Sequence, residues 1–150
     1  MSKLHEGDAA PSFSLLGSDG NEHSLKKYAG RKVVLYFYPK DDTPGCTQEA
    51  CDFRDYGNVI EANNAVILGV SGDSIDSHQK FKTKHDLEFV LLSDPELKMA
   101  KEYGVVGTNG RLNRTTFIIN EAGRVAKIYE NVDVNGHVED IIALLPLIKP

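Results

Sequence analysis

No apolar run in the 150-residue sequence approaches the roughly 20 residues needed to cross a bilayer. Residues 1–11 hold no apolar stretch behind basic residues of the kind that directs secretion. Neither an anchor nor an export signal is expected, and a cytoplasmic location is. Positive charge is also scarce: 17 Lys and Arg stand against 22 Asp and Glu, for a formal net charge of −5. Without a basic stripe, electrostatic attraction to nucleic acid or anionic lipid is not expected. Internal repeats, low-complexity tracts and Pro/Gly/Ser-rich linkers are missing too, so residues 1–150 are expected to form one domain. Cysteine is limited to Cys46 and Cys51. In a reducing compartment such a pair points to redox chemistry or a metal more than to a structural staple. Zinc needs four ligands, and the histidines at 5, 23, 78, 85 and 137 are scattered. His78 and His85 can share a helical face and are expected on its solvated side.

What is present is an alternation of strand and helix patterns. Residues 33–38, Val-Val-Leu-Tyr-Phe-Tyr, form a continuous β-branched and aromatic run that ends at Pro39 and reads as a strand buried on both faces. Residues 65–70 and 115–120 read likewise, 89–92 as a short additional strand, and 124–129 as the hairpin partner reached through the Gly123 turn. Helical patterns cover residues 44–62, 74–84, 95–103 and 135–148. Asp94 is expected to cap a helix whose first residue is Pro95. Val138, Ile141, Ile142, Leu145 and Ile148 share one face of the last helix, which Pro146 should end or kink. The fold class is α/β, a mixed sheet with helices on both faces.

The chemistry concentrates in Tyr-Phe-Tyr-Pro-Lys-Asp-Asp-Thr-Pro-Gly-Cys-Thr-Gln-Glu-Ala-Cys, residues 36–51. A buried strand stops at Pro39, Thr43 is placed to cap the next helix, and Pro44 suits its first position. Cys46 then lies in the first turn, where free amides and the positive end of the helix dipole favour a thiolate. An ordinary thiol is about 3% ionised at pH 7, so full ionisation multiplies the reactive form only about thirtyfold. A fast reaction needs further help from positioning and charge stabilisation. Five residues along a helix turn the chain through about 500°, which leaves the two sulfur-bearing Cα atoms about 8 to 9 Å apart. That exceeds the roughly 7 Å limit for a disulfide, so a Cys46–Cys51 bond requires the helix to unwind. An inert buried pair is the alternative reading, because free cysteine is a common core residue.

The sequence resembles the peroxiredoxins, specifically the bacterioferritin-comigratory or Q-type subfamily. The signature of Pro, Thr four residues later and Cys three residues after that is met by Pro39, Thr43 and Cys46. The subfamily's second cysteine is met by Cys51, and the flanking Glu-Ala-Cys-x-Phe-Arg-Asp also matches. The resemblance implies a thioredoxin-like fold and a peroxidase in which Cys46 attacks a hydroperoxide and Cys51 resolves the sulfenic acid as an intramolecular disulfide. It implies that thioredoxin or a similar dithiol protein is the reductant and that the chain is a monomer. No metal or organic cofactor is implied. The family's active-site arginine matches Arg114 in Asn-Arg-Thr-Thr-Phe-Ile-Ile-Asn, in preference to Arg111 in the neighbouring turn. Thr43 is implied to bond thiolate and peroxide, and Pro39 to shield the sulfenic acid. Arg54 and Asp55 match too, and a helix-surface role suits them equally. Two readings compete with this one: a thioredoxin-like disulfide exchanger, which should carry Cys-x-x-Cys instead of Cys-x-x-x-x-Cys, and a noncatalytic redox-sensing or binding module on the same fold.

Overall fold

The computed structural model describes residues 4–149. The reading of residues 1–11 extends over residues 1–3, which lie outside the described residues, as does residue 150. The chain opens with a short antiparallel hairpin, β1 (Ser14–Leu16) and β2 (Glu22–Ser24). The main sheet follows, built from β3 (Lys32–Phe37), β4 (Ala65–Ser71), β5 (Val90–Ser93), β6 (Thr115–Ile119) and β7 (Val125–Tyr129) in the order β5-β4-β3-β6-β7. β3 and β4 are parallel, as are β4 and β5, whereas β6 runs antiparallel to both β3 and β7. The sheet is therefore mixed. Among the described residues the α-helices are α1 (Pro44–Asp55), α2 (Gly57–Ala62), α3 (Ile75–His85), α4 (Lys98–Glu102) and α5 (His137–Leu144).

β3 is buried along its whole length, and its alternate side chains feed two cores. Val34, Tyr36 and, just past the strand, Tyr38 pack with Ala50 and Phe53 of α1, Ile60 of α2, Phe81 of α3, Val138 and Ile141 of α5, and Leu145 just beyond it. Val33, Leu35 and Phe37 face the other way, onto Phe13, Met99 and Ala100 of α4, Tyr103 and Phe117. Helices on both faces give the thioredoxin-like α/β fold. Among the described residues no helix is long and apolar enough to cross a membrane.

Four local expectations need correction. The helix expected over residues 44–62 breaks at Tyr56, where φ −99° and ψ 10° leave the helical region just before Gly57, a poor helix former. The helix expected from Pro95 starts at Lys98, because Leu97 adopts a left-handed conformation. Asp94 still caps it from a distance, its carboxylate accepting from the Met99 and Ala100 amides at 3.4 and 2.9 Å. The last helix begins at His137 instead of residue 135, behind a left-handed Gly136, and tightens into a 3-10 turn at Leu145–Leu147 as Pro146 requires. His78 is not on a solvated helix face but wholly buried, and His85 is half-buried against the Phe81 ring. β1 and β2, three residues each, carry too little alternation to be read from the sequence.

Candidate active site

The sheet register brings the reactive elements together. β3 ends at Phe37, opposite Thr115, the first residue of β6. Arg114, immediately before β6, thus emerges beside the loop that leads from β3 into α1. Pro44 occupies the first turn of α1 and Cys46 is its third residue, only 1% exposed. The Arg114 guanidinium forks across this turn: Nη2 donates to Cys46 Sγ at 3.3 Å and Nη1 donates to Glu49 Oε1 at 2.8 Å. Glu49 lies three residues after Cys46, on the same helical face. Gly45 makes room for the fork, since a Cβ there would lie 3.2 Å from Arg114 Nη2. The Glu49 carboxylate is closed off from solvent, and His137 approaches it with Nε2 4.0 Å from Oε2. His137 Nε2 is itself 2.8 Å from the Thr116 hydroxyl.

Burial governs the ionisation of this cluster. It pushes the Glu49 carboxyl up to about 7, against the pull of Arg114. It pulls the His137 imidazole down to about 4. For Arg114 burial also works against the charge, but the hydrogen bond to the Cys46 sulfur and the Glu49 carboxylate outweigh it and hold the guanidinium above its ordinary value. The Tyr36 phenol, buried beneath the site, is driven well above 10 by desolvation and by Glu49 and Cys46. The arrangement presents a buried sulfur to a fixed cation, on a helix start: it can stabilise negative charge on the sulfur or on an oxygen leaving it.

The AhpC/TSA family profile matches residues 6–128. The chain belongs to the AhpC/TSA family. It is 44% identical over 146 residues to peroxiredoxin Bcp of Bacillus subtilis, an alignment covering 93% of each chain. It is 47% identical over 146 residues to the chloroplastic peroxiredoxin Q of Oryza sativa subsp. japonica, covering 95% of this chain and 67% of that one. Among solved structures, the bacterioferritin comigratory protein of Xanthomonas campestris superposes with a TM-score of 0.90 at 34% identity, covering 97% of this chain and 98% of that chain. A cysteine-to-serine mutant of PrxQ from Xylella fastidiosa gives a TM-score of 0.92 at 32% identity, with 98% of each covered. The protein is thus a peroxiredoxin of the Bcp or Q type, a thiol peroxidase.

In this peroxiredoxin the five residues singled out from the sequence have different surroundings. Cys46 and Arg114 touch. Thr43 precedes α1 in extended conformation and its carbonyl accepts from the Thr47 amide at 2.8 Å, but its side chain caps nothing: the hydroxyl turns back to donate to the Lys40 carbonyl at 2.9 Å. Pro39 is exposed at the end of the β3 segment. Cys51 is partly exposed, further along α1, and both cysteines are free. Arg111 is exposed in the turn before β6. Arg54 bonds Asp55 and the His85 carbonyl. Glu49 and His137 were not anticipated as site residues. The Glu three positions after Cys46 was the available signal for the first, whereas His137, 91 positions from Cys46, offered none.

Glu49 and His137 give the peroxiredoxin opposite pH dependences of stability. Unfolded Glu49 releases its proton near 4.5 and folded Glu49 near 7. Between those values the folded state holds the extra proton, so rising pH costs stability on the order of 3 kcal/mol. Unfolded His137 takes up a proton below 6.5 and the folded residue only below about 4, so here stability is lost as pH falls through that window. Relative to the parent, Glu49→Gln should therefore gain stability as pH rises from 4.5 to 7, and His137→Gln should lose it as pH rises from 4 to 6.5. Urea unfolding at stepped pH checks this; curves that stay parallel for parent and variants contradict it.

Proposed function

We propose that this peroxiredoxin reduces hydrogen peroxide and organic hydroperoxides through Cys46, with Cys51 as the resolving thiol and thioredoxin or a similar dithiol protein as reductant. The observation that carries the reading is the Arg114 donor 3.3 Å from a buried sulfur at a helix start. The Cys46 thiolate attacks one oxygen of ROOH, the O–O bond breaks, and the departing RO⁻ takes a proton to leave as alcohol or water. Cys46 becomes a sulfenic acid. Arg114 and the Cys46 amide balance the charge on the departing oxygen. Thr43 spends its proton on Lys40, which leaves its oxygen lone pairs to accept the O–H of the peroxide. Pro39, exposed seven residues before Cys46, is assigned the part of limiting access of bulk water to the sulfenic acid. Cys51 then condenses with it, releasing water, and the dithiol partner returns two electrons and two protons.

Support for organic substrates comes from the Xanthomonas campestris relative, a structure described in terms of alkyl peroxide reduction activity. Both cysteines lie on one helix, so resolution needs no second chain, in keeping with a monomer whose 150 residues act as one domain. Two free thiols suit a cytoplasm that keeps them reduced between cycles. Cys51→Ser tests the division of labour. It should consume a single equivalent of hydroperoxide, retain a sulfenic acid that dimedone captures, and lose turnover with thioredoxin and its reductase. Undiminished steady-state turnover removes Cys51 from the cycle.

A further inference from the structure

Cys46 and Cys51 share an intact helix, so the disulfide step opens the start of α1 and the reduced site must then be rebuilt. Something must hold Pro39 and Thr43 in place meanwhile. We propose that Asp41 and His78 form a buried strut that fixes the 39–43 segment against α3 and β5, making them positioning residues for the peroxidase reaction. The inference rests on the reading of Cys46 and Cys51 given above.

Asp41 sits between Pro39 and Thr43 yet is buried. Its Oδ1 accepts from the Tyr38 hydroxyl at 2.5 Å, and its Oδ2 accepts from the Ser77 hydroxyl at 2.8 Å. Its amide donates to Asp73 Oδ2 at 2.8 Å. His78, with no exposed surface, places Nδ1 2.7 Å from Asp41 Oδ2 and Nε2 2.9 Å from the Leu92 carbonyl of β5. A carbonyl only accepts, so Nε2 donates to Leu92 while Nδ1 faces the Asp41 carboxylate. Turning the ring breaks both bonds, so the link from β5 through α3 to the loop has one geometry. Asp41, Asp73 and His78 also lie close enough together to suggest a metal site. Their facing atoms are instead satisfied by the Ser71 and Ser77 hydroxyls, the Asp41 amide and one another, which makes the cluster a hydrogen-bond network.

α3 grips the chain on both sides of the cysteines. Before Cys46, exposed Asp42 meets Lys84 at 2.7 Å and His85 at 3.0 Å. After Cys51, Arg54 donates to the His85 carbonyl at 2.7 Å. Between these clamps the α1 side chains bond elsewhere, Gln48 to Asn135 and Glu49 to Arg114. Opening is thereby confined to the stretch that carries the two sulfurs, while Pro39 and Thr43 keep their positions and receive Cys46 again when the helix closes.

The test uses the full chain with Cys51→Ser as background, so that oxidation stops at the sulfenic acid. Two rates are measured by stopped flow: oxidation of Cys46 by hydrogen peroxide, which needs the 39–43 segment in place, and alkylation of Cys46 by iodoacetamide, which does not. His78→Leu, which cuts both bonds, should slow oxidation by about tenfold or more while alkylation changes less than about threefold. His78→Asn, which can still donate to Asp41, should recover much of the oxidation rate. Asp41→Ala, which removes the carboxylate that meets His78, Tyr38 and Ser77, provides a second cut should His78→Leu not fold, and it should show the same split. Equal slowing of both reactions, or slowing of neither, overturns the strut. A background protein that peroxide does not oxidise at all overturns the assignment of Cys46 instead, so the two failures are distinguishable.

Discussion

Cys46→Ser is expected to bring peroxide turnover down to the rate seen without enzyme. The reaction transfers an oxygen to sulfur, and a serine hydroxyl has no oxidation state open to accept it. Cys51 would remain as the one thiol in the chain, but it lies further along the helix, away from the Arg114 fork. Ordinary thiols react slowly: complete ionisation improves them only about thirtyfold. The difference between such a thiol and an enzyme has to come from fixed donors around the sulfur. Consumption of hydrogen peroxide in a thioredoxin-coupled assay checks the prediction, and residual turnover near the parental rate would transfer the chemistry away from Cys46.

Arg114→Met is expected to lower the peroxide oxidation rate of Cys46 by about 10²- to 10³-fold, the usual loss when a donor to developing oxyanion charge is removed. Arg114→Lys keeps the charge but not the fork, and one ammonium cannot reproduce planar donation to both Cys46 and Glu49. Its rate should fall by about tenfold or more. The stability cost of Arg114→Met should depend on pH. Near pH 6 the Glu49 carboxyl, held up to about 7 by burial, is already largely protonated and tolerates loss of its partner. Above that value the parent ionises Glu49 against Arg114 whereas the variant must keep the carboxyl protonated, so the cost of the substitution grows by about 1.4 kcal/mol per pH unit. Adding Glu49→Gln should restore stability without restoring activity. Single-turnover oxidation monitored with urea unfolding at pH 6 and pH 8 separates these effects, and a rate unchanged in Arg114→Met would remove the guanidinium from the mechanism.

The segment expected to carry the chemistry is legible in the sequence because it is local. Pro39, Thr43, Cys46 and Cys51 fall within thirteen residues, and the strand, turn and helix start around them carry strong punctuation. Arg114 became visible only through resemblance, because its role depends on the register that sets Thr115 opposite Phe37. The residues missed share one property: their environment is made by partners distant in sequence. His78 looks like a polar residue on an amphipathic helix until Asp41 and Leu92 close around it from 37 and 14 positions away. Glu49 reads as helix surface until Arg114 and His137 arrive from other elements. Thr43 had a correct location and a wrong bond, since a hydroxyl can serve the helix or the preceding carbonyl and periodicity does not choose between them. Asp94 was a cap as expected, displaced by three residues because Leu97 turns left-handed ahead of α4.

The account depends on two sulfurs in one helix that meet only when it opens. Peptide mass mapping of the protein after one equivalent of hydrogen peroxide tests this most directly. The predicted product is a single chain that has lost two hydrogens, with the Cys46 and Cys51 peptides joined. Recovery of both peptides as free thiols, or of a bond between two chains, would contradict it.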